Sequence, residues 1–150
     1  MSKVIKHKFF FPHPKETVWE YLTKSELLEQ WLMKNDFKPV VGHNFHFRTN
    51  PIASLNFDGV CHCKVLEIVP FEKLSYSWKG GSGNGDVSLD TIVEWKLVGT
   101  AKGTTLFLEH SGFGKGEHAN FFPGMTDGWV KNVQKIINHL NQTQHDTTKA

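Results

Sequence analysis

Met125-Thr126-Asp127-Gly128-Trp129-Val130-Lys131-Asn132-Val133-Gln134-Lys135-Ile136-Ile137-Asn138-His139-Leu140 is the run around which the chain is organised. Met125, Trp129, Val133, Ile136, Ile137 and Leu140 follow the i, i+4, i+7 spacing of one helical face. Lys131, Asn132, Gln134, Lys135, Asn138 and His139 fill the other face. Pro123 and Gly124 read as the turn before this helix. The polar stretch 142–150 after it is expected to fray. Other helical segments are short, and most of the remaining chain alternates like strands. The simplest core is a sheet folded around this one helix, and what lies between the two decides the function.

Working outward, Leu106, Leu108 and His110 alternate with Thr105, Phe107 and Glu109, and Thr91, Val93, Trp95 and Leu97 alternate with Ile92, Glu94 and Lys96. Leu74, Tyr76 and Trp78 alternate with Ser75, Ser77 and Lys79, and Phe45 and Phe47 alternate with His46 and Arg48. Period two in four segments joined by short turns predicts antiparallel strands buried on one face. Phe57 to Val69 reads as a longer strand. Phe57, Gly59, Cys61, Cys63 and Val65 share one phase, while Val60, Leu66 and Ile68 share the other, which predicts apolar contact on both faces or a bulge. Ile5, His7, Phe9 and Phe11 form one side of a first strand, stopped by Pro12 and Pro14. Pro14 suits the first turn of a short helix carrying Val18 and Leu22. Thr23 and Glu26 have capping-box spacing, so a second short helix is expected from Thr23 to about Trp31.

The sequence has 150 residues, one ordinary domain's worth. Its net charge of +2 is too weak to imply a nucleic-acid partner. Twelve Phe and five Trp are a heavy aromatic load, meaning a bulky solid core or an aromatic-lined cavity. Cys61 and Cys63 lie two apart on one strand face, a poor geometry for a mutual disulfide. Read as free thiols, and with no signal-peptide pattern at the start, they indicate a cytoplasmic protein. No apolar run reaches the length of a membrane span. Gly80 to Asp86 has the glycines of a phosphate loop but neither the GK[ST] ending nor a following helix, so it reads as a flexible loop. His62 points away from Cys61 and Cys63 and there is no second Cys pair, so no metal site is expected, nor any cofactor.

Val18-Trp19-Glu20-Tyr21-Leu22-Thr23, then Glu26-Leu27 and Trp31, resembles the opening of the SRPBCC superfamily, also called START-like or birch-pollen-allergen-like. Gly59 with Val65-Leu66-Glu67-Ile68, Pro70 and Leu74-Ser75-Tyr76-Ser77-Trp78 is similar to its central hairpin. Gly103-Thr104-Thr105-Leu106, His110-Ser111-Gly112-Phe113 and Gly128-Trp129 resemble the subfamily named after the activator of the ninety-kilodalton heat-shock protein ATPase. The resemblance implies one START-like domain over 1–150 with an α+β helix-grip fold. In that fold an antiparallel sheet of six or seven strands curls around the long C-terminal helix, with two short helices closing one end. It also implies that an apolar ligand occupies the space between. The activator itself carries a further N-terminal domain that engages the chaperone, so chaperone activation is the weaker expectation for this sequence.

These readings define a candidate site. His110 shares the inward phase of Leu106 and Leu108, is expected to face the interior beside Trp129 or Phe113, and is the one candidate catalytic group, the alternative being a core histidine bonded to a backbone carbonyl or Ser111. The expected ligand-binding residues are Trp31, Phe57, Tyr76, Trp78, Trp95, Leu108, His110, Phe113, Phe121, Met125, Trp129 and Val133. Trp129 is expected to border the cavity. Three function classes follow: a non-enzymatic domain binding a small apolar or aromatic molecule, a cyclase- or hydrolase-like enzyme using His110, and an interaction module. The last would form a homodimer or meet a chaperone through Phe10, Val60, Leu66 and Ile68 on the outer sheet face.

Overall fold

The expected alternation builds the sheet strand by strand. In the computed structural model, which describes residues 3–55, 57–81, 89–113 and 122–149, and side chains over 4–54, 57–81, 89–113 and 124–141, strand β1 spans Lys3–Phe11 and buries Ile5 and Phe11. Helices α1 (Lys15–Thr23) and α2 (Ser25–Trp31) follow, then the short β2 (Lys34–Asn35) and β3 (Asn44–Arg48). β4 (Val60–Val69), β5 (Lys73–Gly80), β6 (Leu89–Thr100) and β7 (Gly103–Phe113) form a meander, and α3 (Phe122–Lys149) closes the order. Among the described residues the seven strands make one antiparallel sheet in the order β1-β7-β6-β5-β4-β3-β2. This is the helix-grip architecture, α+β, with two short helices after the first strand.

The order explains the two helices. β1 and β2 are adjacent in sequence but lie at opposite edges of the sheet. Six strand spacings of about 4.8 Å put those edges roughly 29 Å apart in a flat sheet, and α1 and α2 carry the chain across. Val18, Leu22, Leu28 and Trp31 face inward along that path and plug one end of the curved sheet. The second helix begins later than the capping-box spacing predicts. Thr23 ends α1 and turns its hydroxyl back to the carbonyl of Trp19 at 2.8 Å, leaving no side-chain cap on α2. A Thr hydroxyl has this choice between the preceding turn and the next helix, and here the preceding turn wins.

Two irregularities decide which side chains face the core. The β4–β5 register slips between Val65 and Glu67, so the expected bulge is present. It leaves Leu66 outward and 41% exposed but brings Ile68 back against the core, correcting its expected outward phase. The second slip lies where β1 pairs with β7, whose partner jumps from Ser111 to Phe113. Gly112 is the skipped residue, at φ +104°, and a Cβ there would lie 3.0 Å from the Asp90 carbonyl. Only glycine takes this position without strain, and its turn puts Phe113 on the inner face beside His110.

The long helix also starts earlier than expected. Pro123 and Gly124 lie in its first turn, not before it, because a proline in the first turn gives up an N–H that has no intrahelical partner there. The helix takes in most of the stretch read as a polar tail. The glycine-rich loop falls largely at 82–88, and much of the 112–124 connection, with Phe121, at 114–121; both lie outside the described residues.

Gly112→Ala should lower stability by about 1–3 kcal/mol, since it combines a left-handed φ with a tight backbone contact. Urea melts of the two proteins measure it; an unchanged midpoint would mean that the strand end adapts without strain.

Candidate functional site

The space between α3 and the sheet is filled mainly by aromatic rings. Trp95 lies edge-on to both Trp31 (6.0 Å) and Trp129 (5.4 Å). Trp129 also meets Trp78 edge-on at 5.5 Å, and Trp78 stacks on Phe47 at 5.0 Å. Tilted and edge-to-face pairs of this kind add to the area term of burial. Of the buried indole N–H groups, Trp31 donates to the Tyr21 carbonyl (2.8 Å) and Trp95 to the Tyr76 hydroxyl (3.0 Å). The Trp78 N–H makes no hydrogen bond of ordinary geometry among the described residues. Burial pushes the Cys61 thiol up to about 12, Asp58 adds to the rise, and the Trp78 N–H opposes it. Burial also holds Cys63 protonated, so both free thiols are inert by environment.

His110 sits at the centre of this packing and is fully buried. The Trp129 Nε1–H donates to its Nδ1 at 3.0 Å. An indole can only donate, so Nδ1 carries the lone pair and Nε2 carries the proton. Nε2–H then donates to the Thr91 hydroxyl at 2.7 Å, and that hydroxyl donates to the Trp78 carbonyl at 2.9 Å. The expected inward phase holds, but the partners are Thr91 and Trp129 instead of a backbone carbonyl or Ser111. Phe113 closes the other side, its ring 4.6 Å from the imidazole. Burial lowers the His110 pKa to about 3, so the ring is neutral at physiological pH. Both ring nitrogens are committed, and neither faces a position where a substrate atom would stand. The geometry makes His110 a fastener between helix and sheet.

An opening lies at the mouth of the groove. An apolar slot of about 140 Å³ is walled by Leu32 and Met33 after α2, by Gly124, Met125, Gly128, Trp129 and Asn132 of α3, and by Trp78 of β5. Of the expected ligand-binding residues, the structure brings Trp78, Met125 and Trp129 together there. Trp31, Phe57, Tyr76, Trp95, Leu108, His110, Phe113 and Val133 are buried core. Trp129 does border the opening, yet it is only 2% exposed and packed by Trp78, Trp95 and His110 on its other sides. Leu32, Met33, Gly124, Gly128 and Asn132 escaped the sequence reading. The available signal was the pair of glycines four apart in a helix, each costing about 1 kcal/mol relative to alanine. A Cβ at either would meet nothing within 4 Å, so neither is there for close packing.

Two other elements hold the helix over the sheet. Tyr21 hydrogen-bonds His139 Nδ1 and lies edge-on to its ring, so His139 faces the fold and not the polar side assigned to it. The His7 Nε2–H donates to the Thr126 carbonyl at 3.0 Å, tying β1 to the first turns of α3. On the outer sheet face Phe10, Leu66, Ile92, Val98 and Phe107 are exposed. They are interleaved with ion pairs, Lys6–Glu109, Lys73–Glu67, Lys73–Glu94 and Lys96–Glu94, so the face is mixed and not a continuous apolar patch.

A curved sheet gripping a helix, with an apolar slot at its mouth, is the architecture of a START-like domain. The chain belongs to the family described as "Activator of Hsp90 ATPase homolog 1-like protein", whose model matches residues 12–141. It is similar to protein MLL2253 from Mesorhizobium loti, at 34% identity over 94% of this chain and 98% of that one, with a TM-score of 0.81. Protein BH1534 from Bacillus halodurans is similar at 29% identity over 92% of this chain and 98% of that one, with a TM-score of 0.72. DynU16, from the dynemicin biosynthetic locus, shares the fold at 20% identity and a TM-score of 0.74, this chain covering 47% of that one. No curated protein sequence matches. Among the described residues no helix is long and apolar enough to cross a membrane.

Two outcomes check the fastener. An unfolded histidine titrates near 6.5, whereas His110 stays neutral down to about 3. Between those values the unfolded chain takes up a proton that the native state refuses. The stability is therefore fully present above pH 6.5 and falls with decreasing pH by about 1.4 kcal/mol per unit from this group. Urea melts from pH 7 to 4.5 should show that slope, reduced in His110→Gln. Trp129→Phe keeps most of the ring volume but leaves Nδ1 of His110 without its donor, which should cost about 1–3 kcal/mol; a loss below 0.5 kcal/mol by the same melts would mean that the bond contributes nothing.

Proposed function

We propose that this protein is a non-enzymatic START-like domain that binds a small apolar molecule, of single-ring size, in the slot between α2 and α3. The observation that carries the reading is the pair Gly124 and Gly128. They weaken the helix, a Cβ at either would meet nothing within 4 Å, and they border a space walled by Trp78, Trp129, Met125, Met33 and Leu32. Its volume of about 140 Å³ is close to that of an engineered cavity, about 150 Å³, that admits benzene. It is well below the roughly 300–1,000 Å³ of pockets for larger ligands. Asn132 is the polar side chain at the rim, suited to one hydrogen bond with a ring substituent. Flexible Met33 and Met125 can adjust to ligand shape. The enzymatic alternative is disfavoured because His110 has both nitrogens spent within the core.

Toluene and phenol should each bind saturably and change the tryptophan emission, because two indoles wall the slot. Gly128→Leu should abolish the effect by filling the slot, while thermal stability holds or rises as the glycine leaves the helix. Saturable binding that survives Gly128→Leu would place the ligand elsewhere, and unchanged emission in the wild type across both ligands would overturn the reading.

A further inference from the structure

On the outer face of the sheet, away from the slot, β3 and β4 set two imidazoles side by side. His46 and His62 are directly opposite in the antiparallel register. The Thr49 N–H bonds to the Gly59 carbonyl, and counting the alternation back from that bond makes 46/62 a pair without mutual backbone hydrogen bonds. Facing side chains approach most closely in such pairs, with Cβ atoms about 4.5–5.5 Å apart. The His46 N–H accordingly points away from β4 and is taken by the Asp36 carboxylate.

We propose that His46 and His62 form a two-imidazole site for a divalent first-row transition cation, with Asp36 as its positioning residue. The ring centroids are 5.1 Å apart with the planes at 80°. A cation of this kind sits about 2.0–2.1 Å from an imidazole nitrogen, and roughly 1 Å more reaches the ring centre, so two imidazoles on one tetrahedral ion have centroids about 5 Å apart. The pair already has that separation, and χ2 of His62, a soft torsion on an exposed ring, is the one left to aim its nitrogen. The Asp36 carboxylate accepts from Nδ1–H of His46 at 3.2 Å. That bond puts the proton on Nδ1 and leaves the Nε2 lone pair free, as carboxylates do behind metal-binding histidines. The His62 ring is exposed and has no hydrogen bond among the described residues. Lys79, the next residue in the cross-strand row, is drawn toward Asp90 at 4.0 Å, which offsets its repulsion of a cation.

Among the described residues no group of three or more His, Cys, Asp or Glu side chains could hold a metal ion together. The pair therefore supplies two ligands, and water completes the coordination. The donor set, two neutral imidazoles with water, suits Ni²⁺, Cu²⁺ and Zn²⁺ and not Ca²⁺ or Mg²⁺, which require oxygen ligands. Cys61 and Cys63 point to the other face of the same strand, buried, and take no part.

The test is calorimetric titration of the whole protein with NiCl₂, followed in parallel by the imidazole signals in NMR. One Ni²⁺ should bind per chain, with the His46 and His62 signals moving or broadening together. His46→Ala or His62→Ala, both on an exposed strand face, should weaken binding at least about tenfold, and Asp36→Asn about tenfold. Asp36→Asn should also shift the His46 tautomer, read from ¹⁵N shifts, which a merely structural loss would not do. His43→Ala, whose ring faces the Asp36 backbone carbonyl instead, should bind as the wild type does. Unsaturable binding in the wild type, full binding in both alanine variants, or one cation shared by two chains would each overturn the proposal.

Discussion

A chain of hydrogen bonds inside a largely apolar core ties the helix to the sheet. It runs from the Trp129 indole on α3 through the His110 imidazole on β7 and the Thr91 hydroxyl on β6 to the Trp78 carbonyl on β5. Each group in it is buried, and leaving any one unpaired would cost about 1–3 kcal/mol. The chain also has a direction. Because the indole can only donate, the imidazole has one allowed tautomer, and the hydroxyl must then donate onward. A helix shifted by one residue would lose the first bond and strand the rest. The aromatic contacts around it supply much of the burial energy but little direction, so the polar relay sets where along the sheet the helix rests.

That position explains why the opening is where it is. Trp129 is fixed near the start of α3, and the residues five places and one place before it, Gly124 and Gly128, are glycines. Fixing the indole against His110 while removing side chains beside it leaves a gap bounded by the end of α2. Further along, Val133, Ile136 and Leu140 are buried and the helix closes onto the sheet. Tyr21 with His139 and His7 with Thr126 hold the helix toward its other end and its start. Among the described residues this opening is thus a small slot at one end of a well-fixed helix.

Period-two alternation in four segments and one amphipathic run were enough to read an antiparallel sheet folded around one helix, along with the inward phase of His110 and the common face of Cys61 and Cys63; the helix-grip arrangement came from the family resemblance. What escaped the reading had local causes with non-local outcomes. The start of α3 was misplaced because Pro123 and Gly124 signal a turn as readily as a first helical turn. Ile68 was put on the outer face because alternation alone does not locate a one-residue bulge. Most of the expected cavity wall proved to be core, because a strand pattern tells which face a ring is on but not whether another ring fills the space opposite. Leu32, Met33 and Asn132 were invisible for a related reason: they meet only when two helices far apart in the sequence converge.

The two faces of the sheet therefore carry different chemistry on the same strands. β4 turns Cys61 and Cys63 into the core, where burial keeps the thiols protonated, and turns His62 outward to meet His46. β5 turns Trp78 toward the slot and Lys79 toward Asp90 on the other side. Because side chains alternate, a substitution at an outward position leaves the inward neighbours in place, provided the register holds. The register is held by Gly112 at one end of the sheet and by the Val65–Glu67 bulge toward the other, each an irregularity that fits at one position only. Slipping β7 by one residue would turn Glu109 inward in place of His110, beside Trp129. The cost of burying such a group unpaired keeps the inner and outer faces chemically separate.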